Sequence, residues 1–266
     1  MKRIFIYFMF LSVAAACGKI DDNKPVDGGG DNTTPPVEEL VPPQQVNESN
    51  LFIADFFSTL ENDASYFSAR STDIAVQHIN GASGKRPLVY MFDRTDYEVG
   101  KSNPMNDIAY KTASWQLFAQ NQPTNQGVIE GTGMITKYVI SDYDGIASNG
   151  TYMSGTMIPA PLSASTPIFF YTARISSVDQ IKEIHKQRGS ALLGDAVVIA
   201  TVDNKVKGEV MNLVTNNMSM RAECLASEAT ALDVLVIVPM SYVCRSIQEM
   251  KTGNLPYYRV SIEKWM

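Results

Sequence analysis

Apolar positions recur along this chain at two spacings, one of strands and one of helices. Runs rich in β-branched and aromatic residues, at strand length, lie at 73–79, 88–92, 132–140, 168–174, 196–202, 234–240 and 257–262. Some, such as Ala196-Val197-Val198-Ile199-Ala200, are apolar on both faces, which predicts central strands with cover on both sides. Helical signals stand between them. Ser177-Val-Asp-Gln180 has the spacing of a capping box, Val178, Ile181 and Ile184 then share a face, and Gly189 stands where a C-terminal cap belongs. A second helix is predicted over 205–214, with Val206, Val210, Leu213 and Val214 on its buried stripe. There is no internal repeat.

The pattern changes character before residue 49. Behind Lys2 and Arg3, the apolar run from Ile4 to Val13 is too short for a bilayer, which takes about 20 apolar residues. A basic start, a short apolar stretch and the small residues Ala14, Ala15 and Ala16 make a secretory leader over 1–16. Cys17 follows directly, so the segment resembles a bacterial lipoprotein signal whose processing leaves Cys17 as the lipidated N-terminus. Ala14, where that signal usually has Leu, is a departure from its pattern. Residues 17–48 are rich in Pro, Gly and Asp and poor in apolar side chains, which predicts a disordered tether. Asp21-Asp22 and Gly18 resemble the export and outer-membrane sorting signals of Bacteroidetes lipoproteins. The implied location is the outer membrane, facing the periplasm or the cell surface, and the implied partner is the membrane through the lipid. The folded domain is predicted over 49–266.

Charge narrows the partners of that domain. The formal net charge is −6, and the leader would remove two of the positive charges. Nucleic-acid binding rests on Lys and Arg displacing counterions from phosphates, and no dense basic block occurs here, so nucleic acid is not an expected partner. With Cys17 assigned to lipid, Cys224 and Cys244 form an even pair for an oxidising compartment. They are read either as a disulfide between neighbouring strands or as two buried thiols. No zinc spacing and no Gly-x-Ser-x-Gly elbow is present, and Gly127 to Gly133 is a glycine-rich turn that runs on into a strand rather than a helix.

The order of the segments resembles the endonuclease/exonuclease/phosphatase, or deoxyribonuclease-I-like, superfamily. Asp73-Ile-Ala-Val-Gln77-His78 stands where that family has a strand ending in "LQE". Trp115 to Ala119 with Gly133 to Ile140 resembles its following strand pair. Ile168-Phe-Phe-Tyr-Thr172-Ala173-Arg174 resembles the strand carrying "THL", and Val197 to Asn204 the strand carrying "GDFN". Tyr257 to Ile262 resembles the closing strand. The resemblance implies a four-layered α/β sandwich, two mixed β-sheets face to face with flanking helices.

It also implies a chemistry that this chain has rewritten. The family holds Mg or Mn with carboxylates and uses histidines and an aspartate to move protons. In this alignment the metal-binding Glu becomes His78, the His of "THL" becomes Ala173, the Asp of "GDFN" becomes Val202 with Asn204 kept, and the terminal Asp-His pair falls on Pro256-Tyr257. The only histidines in the sequence are His78 and His185. The expectation is a catalytically degenerate domain with no cofactor, Mg or Mn entering only if the ligands have relocated. Gln77, His78, Arg174, Asp203 and Asn204 are the candidate cleft residues, either a remodelled site for a sugar or a phosphate or groups that merely satisfy one another. The partner is read as a small ligand, a glycan or a protein. A glycan-capture role would instead use exposed aromatics among Tyr66, Phe67, Tyr90, Phe92, Tyr97, Tyr110 and Trp115, which are otherwise core. Trp265 is expected to pin the last strand.

Overall fold

The computed structural model describes residues 51–58, 69–82, 87–120, 124–137, 142–148, 151–159, 167–182, 196–218, 220–225 and 232–264. The leader, the tether, Cys17, Tyr66, Phe67, His185, Gly189 and Trp265 lie outside them. In chain order the strands are β1 (Leu51–Phe57), β2 (Val89–Phe92), β3 (Tyr97–Glu98), β4 (Trp115–Gln120), β5 (Val128–Ile129), β6 (Gly131–Thr136), β7 (Asp142–Ser148), β8 (Thr151–Pro159), β9 (Pro167–Ile175), β10 (Ala196–Asp203), β11 (Met220–Leu225), β12 (Leu232–Pro239), β13 (Tyr242–Thr252) and β14 (Leu255–Lys264). The helices are α1 (Ala69–Gly81), α2 (Pro104–Thr112), α3 beginning over 178–182, and α4 (Lys207–Asn212), which runs into a π-helical turn at Leu213–Asn217.

Among the described residues the strands form two six-stranded sheets and a small hairpin. The first sheet has the order β13-β14-β1-β2-β6-β4, the second β11-β12-β10-β9-β8-β7, and β3 pairs with β5. Each large sheet holds one parallel pair at its centre, β1 with β2 and β9 with β10. Parallel neighbours need a crossover, and α1 and α3 lie in the two crossovers. Both sheets are therefore mixed and built around the same strand-helix-strand unit.

Alternation along the strands assigns each side chain to a layer. Phe52, Ala54, Phe56, Val89, Met91, Phe170, Val197, Ile199, Val234, Val236, Val260 and Ile262 fill the space between the sheets. Phe52 meets Phe170 edge-on across that space at 6.0 Å. The other faces are covered separately. Phe57, Tyr90, Phe92 and Tyr257 pack under Ala75 and Ile79 of α1 and Met105 and Ile108 of α2. Tyr171, Ala173, Val198, Ala200, Val202 and Leu235 pack under Ile181, Val210 and Val214. The result is the expected helix-sheet-sheet-helix sandwich, with strands such as β2 and β12 buried on both faces.

Most predicted elements are present. The strands at 88–92, 168–174, 196–202, 234–240 and 257–262 appear within a residue or two, or as parts of longer strands. The capping box at α3 forms its return bond, the Ser177 amide donating to Gln180 Oε1 at 3.0 Å. Val210 and Val214 are fully buried as predicted.

One strand was misread. Residues 73–79 belong to α1. Thr72, Ala75 and Ile79 are buried while Asp73, Gln77 and Asn80 are exposed, a three-to-four-residue period rather than two. A short run containing Ile, Val and Ile is ambiguous between the two periods, and the crossover between parallel strands decides it.

An ion-pair cluster fastens α1 to the sheet. Asp55, fully buried on the outer face of β1, accepts from Arg259 on β14 through Nε at 2.8 Å and Nη2 at 2.9 Å. His78 Nε2 on α1 lies 2.8 Å from Asp55 Oδ2, with the Tyr257 ring 4.5 Å from the imidazole. A buried carboxylate is tolerable only with such partners, and removing one strands the charge. Arg259→Met should therefore cost about 3–5 kcal/mol in urea unfolding, and adding Asp55→Asn should recover most of that loss.

Candidate functional site

The carboxyl ends of β1, β2, β9 and β10 converge between the sheets, and there the inward-facing residues turn from apolar to polar. Past Phe56 comes Ser58, past Met91 comes Asp93, past Phe170 come Thr172 and Arg174, and past Ile199 come Thr201 and Asp203. Ligands of open α/β sheets gather at such strand ends because the chain there departs into loops and leaves a crevice.

Asp93 is the centre of the group. Its Oδ2 accepts from Ser58 Oγ at 3.1 Å and from Thr201 Oγ1 at 3.0 Å, the second bond crossing from one sheet to the other. Its Oδ1 is buried without a hydrogen-bond partner among the described residues, as is Thr172 Oγ1. Arg174 lies close enough for its charge to act on Asp93, yet it has no hydrogen bond among the described residues. Burial pushes the Asp93 carboxyl up to about 6, against the pull of Arg174, the two hydroxyls and Arg94. Arg94 is committed to Asp96, whose Oδ1 also accepts from the Gly131 amide at 3.3 Å, and these contacts hold the loop beyond Asp93.

The structure separates the residues that the sequence grouped together. Arg174 and Asp203 are in the crevice. Asp203 is partly exposed at its mouth, with Oδ1 accepting from the Lys205 amide at 2.8 Å to start the turn into α4. Asn204 follows in that turn and is exposed. Gln77 and His78 are on α1 in the outer layer, Gln77 exposed and His78 tied to Asp55. They are not at a strand end, because the segment that carries them is not a strand. The strand running parallel beside β1 is β2, and the carboxylate at its end is Asp93.

Two further placements change by one residue. Ala173 and Val202 face the outer core, so neither occupies the crevice. The inward positions beside them are Arg174 and Thr201, which are register partners across β9 and β10. Ser58, Asp93, Thr172 and Thr201 were missed from the sequence. Their signal was the polar residue that interrupts an inward-facing apolar series.

Of the two readings of the cysteine pair, the structure has the thiols. Cys224 and Cys244 are free thiols. Cys224 is on β11 at the edge of one sheet and packs toward the outer core, while Cys244 is on β13 of the other sheet and packs toward the space between. Side chains pointing into different layers cannot close a disulfide. Burial pushes both thiols up to about 11, so they stay protonated. Among the candidate aromatics, Tyr90 and Phe92 are core, Tyr97 and Trp115 are partly buried, and Tyr110 is exposed.

The divalent cation that the resemblance implies does not suit these donors. Magnesium wants an octahedral set of oxygens with carboxylates among them. The crevice offers one buried carboxylate, already accepting two hydroxyls on one oxygen, and the partly exposed Asp203, one oxygen of which accepts from the Lys205 amide, beside a guanidinium that opposes a second cation. Among the described residues no three His, Cys, Asp or Glu side chains come together in a metal-holding group.

Solved structures with this architecture are found. An endonuclease/exonuclease/phosphatase family protein from Leptotrichia buccalis superposes with a TM-score of 0.57 at 10% identity, covering 81% of this chain and 100% of that one. The chain has the endonuclease/exonuclease/phosphatase fold. A humanised D. rerio TDP2 superposes at 0.50 with 8% identity, over 81% of this chain and 100% of that chain. D. rerio TDP2 complexed with a single-strand DNA product also gives 0.50, at 9% identity over 80% and 99%. Neither the protein-family models nor the curated proteins contain a match. Identities this low carry the fold and leave function to the crevice itself.

The raised carboxyl makes a signed prediction. A native-state value of about 6 against 3.8 in the unfolded chain means that the folded form binds the proton more tightly. Ionised Asp93 thus opposes folding in full above about pH 6, and the penalty fades as pH falls toward 4. Asp93→Asn should stabilise the protein by up to about 3 kcal/mol at pH 8 and by almost nothing at pH 4, read from urea unfolding at both. An equal difference at both pH values would place the cause elsewhere.

Proposed function

We propose that this is a lipid-anchored lipoprotein of the outer membrane whose endonuclease/exonuclease/phosphatase-like domain binds a ligand in the old catalytic crevice without turning it over. The observation that carries this reading is the residue set around Asp93: hydroxyls, a guanidinium and the Asp93 and Asp203 carboxylates, with His78 held in another layer by Asp55 and Arg259. Phosphodiester hydrolysis in this fold needs a cation to lower the pKa of water and a base to take its proton. Arg174 can neither bind a cation nor take a proton at neutral pH, and the Thr201 hydroxyl is too weak a base to take one. Lipid on Cys17 would hold the domain at the membrane through the hydrophilic chain that follows it, and the acidic balance of the whole argues against nucleic acid as a partner.

An aromatic glycan platform is not favoured by the candidates whose exposure the structure describes: Tyr90 and Phe92 are core, Tyr97 and Trp115 are partly buried, and Tyr110 is exposed. The decisive assay is hydrolysis of bis(p-nitrophenyl) phosphate with added Mg or Mn. The expected rate is that of buffer and metal alone. Turnover that Asp93→Asn abolishes would sink the non-catalytic reading. The anchor is tested by Cys17→Ser, which should move the protein from the membrane to the soluble fraction and end labelling by palmitate.

A further inference from the structure

The crevice retains unmet hydrogen-bonding capacity of three kinds, and its balance narrows the ligand. Asp93 Oδ1 is an acceptor buried without a partner. Thr172 Oγ1, on the same face of β9 as Arg174 and fully buried, is a hydroxyl that can donate or accept and does neither among the described residues. The Arg174 guanidinium supplies donors with no committed acceptor. Native proteins rarely leave such groups unpaired, because each costs about 1–3 kcal/mol of desolvation with nothing returned. Two buried orphans and an unengaged arginine, at one set of strand ends, point to a bound molecule that completes them.

Charge eliminates two ligand classes. A divalent cation would have to sit against Arg174. An anion such as phosphate would have to approach both Asp93 and Asp203, with Arg174 as the cation acting on Asp93 that has no hydrogen bond among the described residues, since Arg94 is paired with Asp96. What fits is a neutral molecule offering donors and acceptors on adjacent atoms. Vicinal hydroxyls do this: one donates to Asp93 Oδ1 while its neighbour accepts from Arg174, and either can bond Thr172 Oγ1.

We propose that the crevice is a metal-independent binding site for the vicinal hydroxyls of a neutral sugar, with Asp93 as acceptor, Arg174 as donor and Thr172 completing the set. This rests on the crevice being a binding site rather than a catalytic one, and it goes further in naming the ligand class and the residues that bind it. It does not use stacking aromatics.

The test is calorimetric titration of the full-length protein with glucose, galactose, mannose and N-acetylglucosamine and their disaccharides, in EDTA, alongside inorganic phosphate and Mn. The expected result is saturable binding of at least one sugar, unaffected by EDTA and weakened about tenfold or more by Thr172→Val and by Asp93→Asn. Thr172→Val removes an unpaired buried hydroxyl at constant shape, so it should leave or raise the melting temperature, and a loss of binding cannot be put down to misfolding. Failure of all these sugars to bind overturns the sugar assignment. So does sugar binding that survives both variants. Saturable phosphate or Mn binding lost in Asp93→Asn overturns it too, while leaving a binding crevice in place, whereas phosphodiester turnover removes the non-catalytic reading beneath it.

Discussion

The strict two-residue alternation of strands is the constraint on which the rest of this molecule depends. Four strand ends meet because two parallel pairs face each other, and each strand has already committed one parity of its residues to the space between the sheets. That parity does not stop where the apolar residues stop. Continued past Phe56, Met91, Phe170 and Ile199, it delivers Ser58, Asp93, Thr172, Arg174 and Thr201 to one place. The crevice is thus the polar end of the core, positioned by the same packing that holds the sheets together. Thr201 donating to Asp93 across the sheets is a direct bond between the two halves at that end.

The same constraint explains what was legible in the sequence. Buried central strands such as 88–92, 196–202 and 234–240 are apolar on both faces and flanked by polar breaks, so their existence could be read without knowing which residue faces which way. Facing was the harder part. A one-residue slip exchanges the two faces of a strand, and short motifs place Ala173 and Val202 where the inward residues are Arg174 and Thr201. Ala173 and Val202 belong to the outer core under α3 and α4, and their neighbours Arg174 and Thr201 carry the crevice. An apolar run with no polar face gives no internal marker of register, so the error was invisible until the sheets were paired.

His78 shows a different limit. Asp73 to Ile79 has the β-branched content of a strand, yet it joins two parallel neighbours and must cross over the sheet. Topology overrides propensity in such a segment. Once it is a helix, the histidine that looked like a replaced metal ligand becomes a tie between layers, and the carboxylate at the end of the neighbouring parallel strand is Asp93.

The two buried aspartates then stand as a controlled comparison within one protein. Asp55 and Asp93 are both hidden from solvent. Asp55 is answered on both oxygens by a bidentate arginine and a histidine, all supplied by the surrounding core, which is how a fold stabilises a charge it keeps for itself. Asp93 is answered on one oxygen by two neutral hydroxyls, and the arginine beside it does not close the pair. Nothing in the chain's chemistry prevented a second clamp, since Arg259 and Asp55 achieve one on the other face of the first sheet. A carboxylate left half-met, next to an unengaged guanidinium and an unpaired threonine hydroxyl, is better explained by a partner from outside the chain than by a failure of packing.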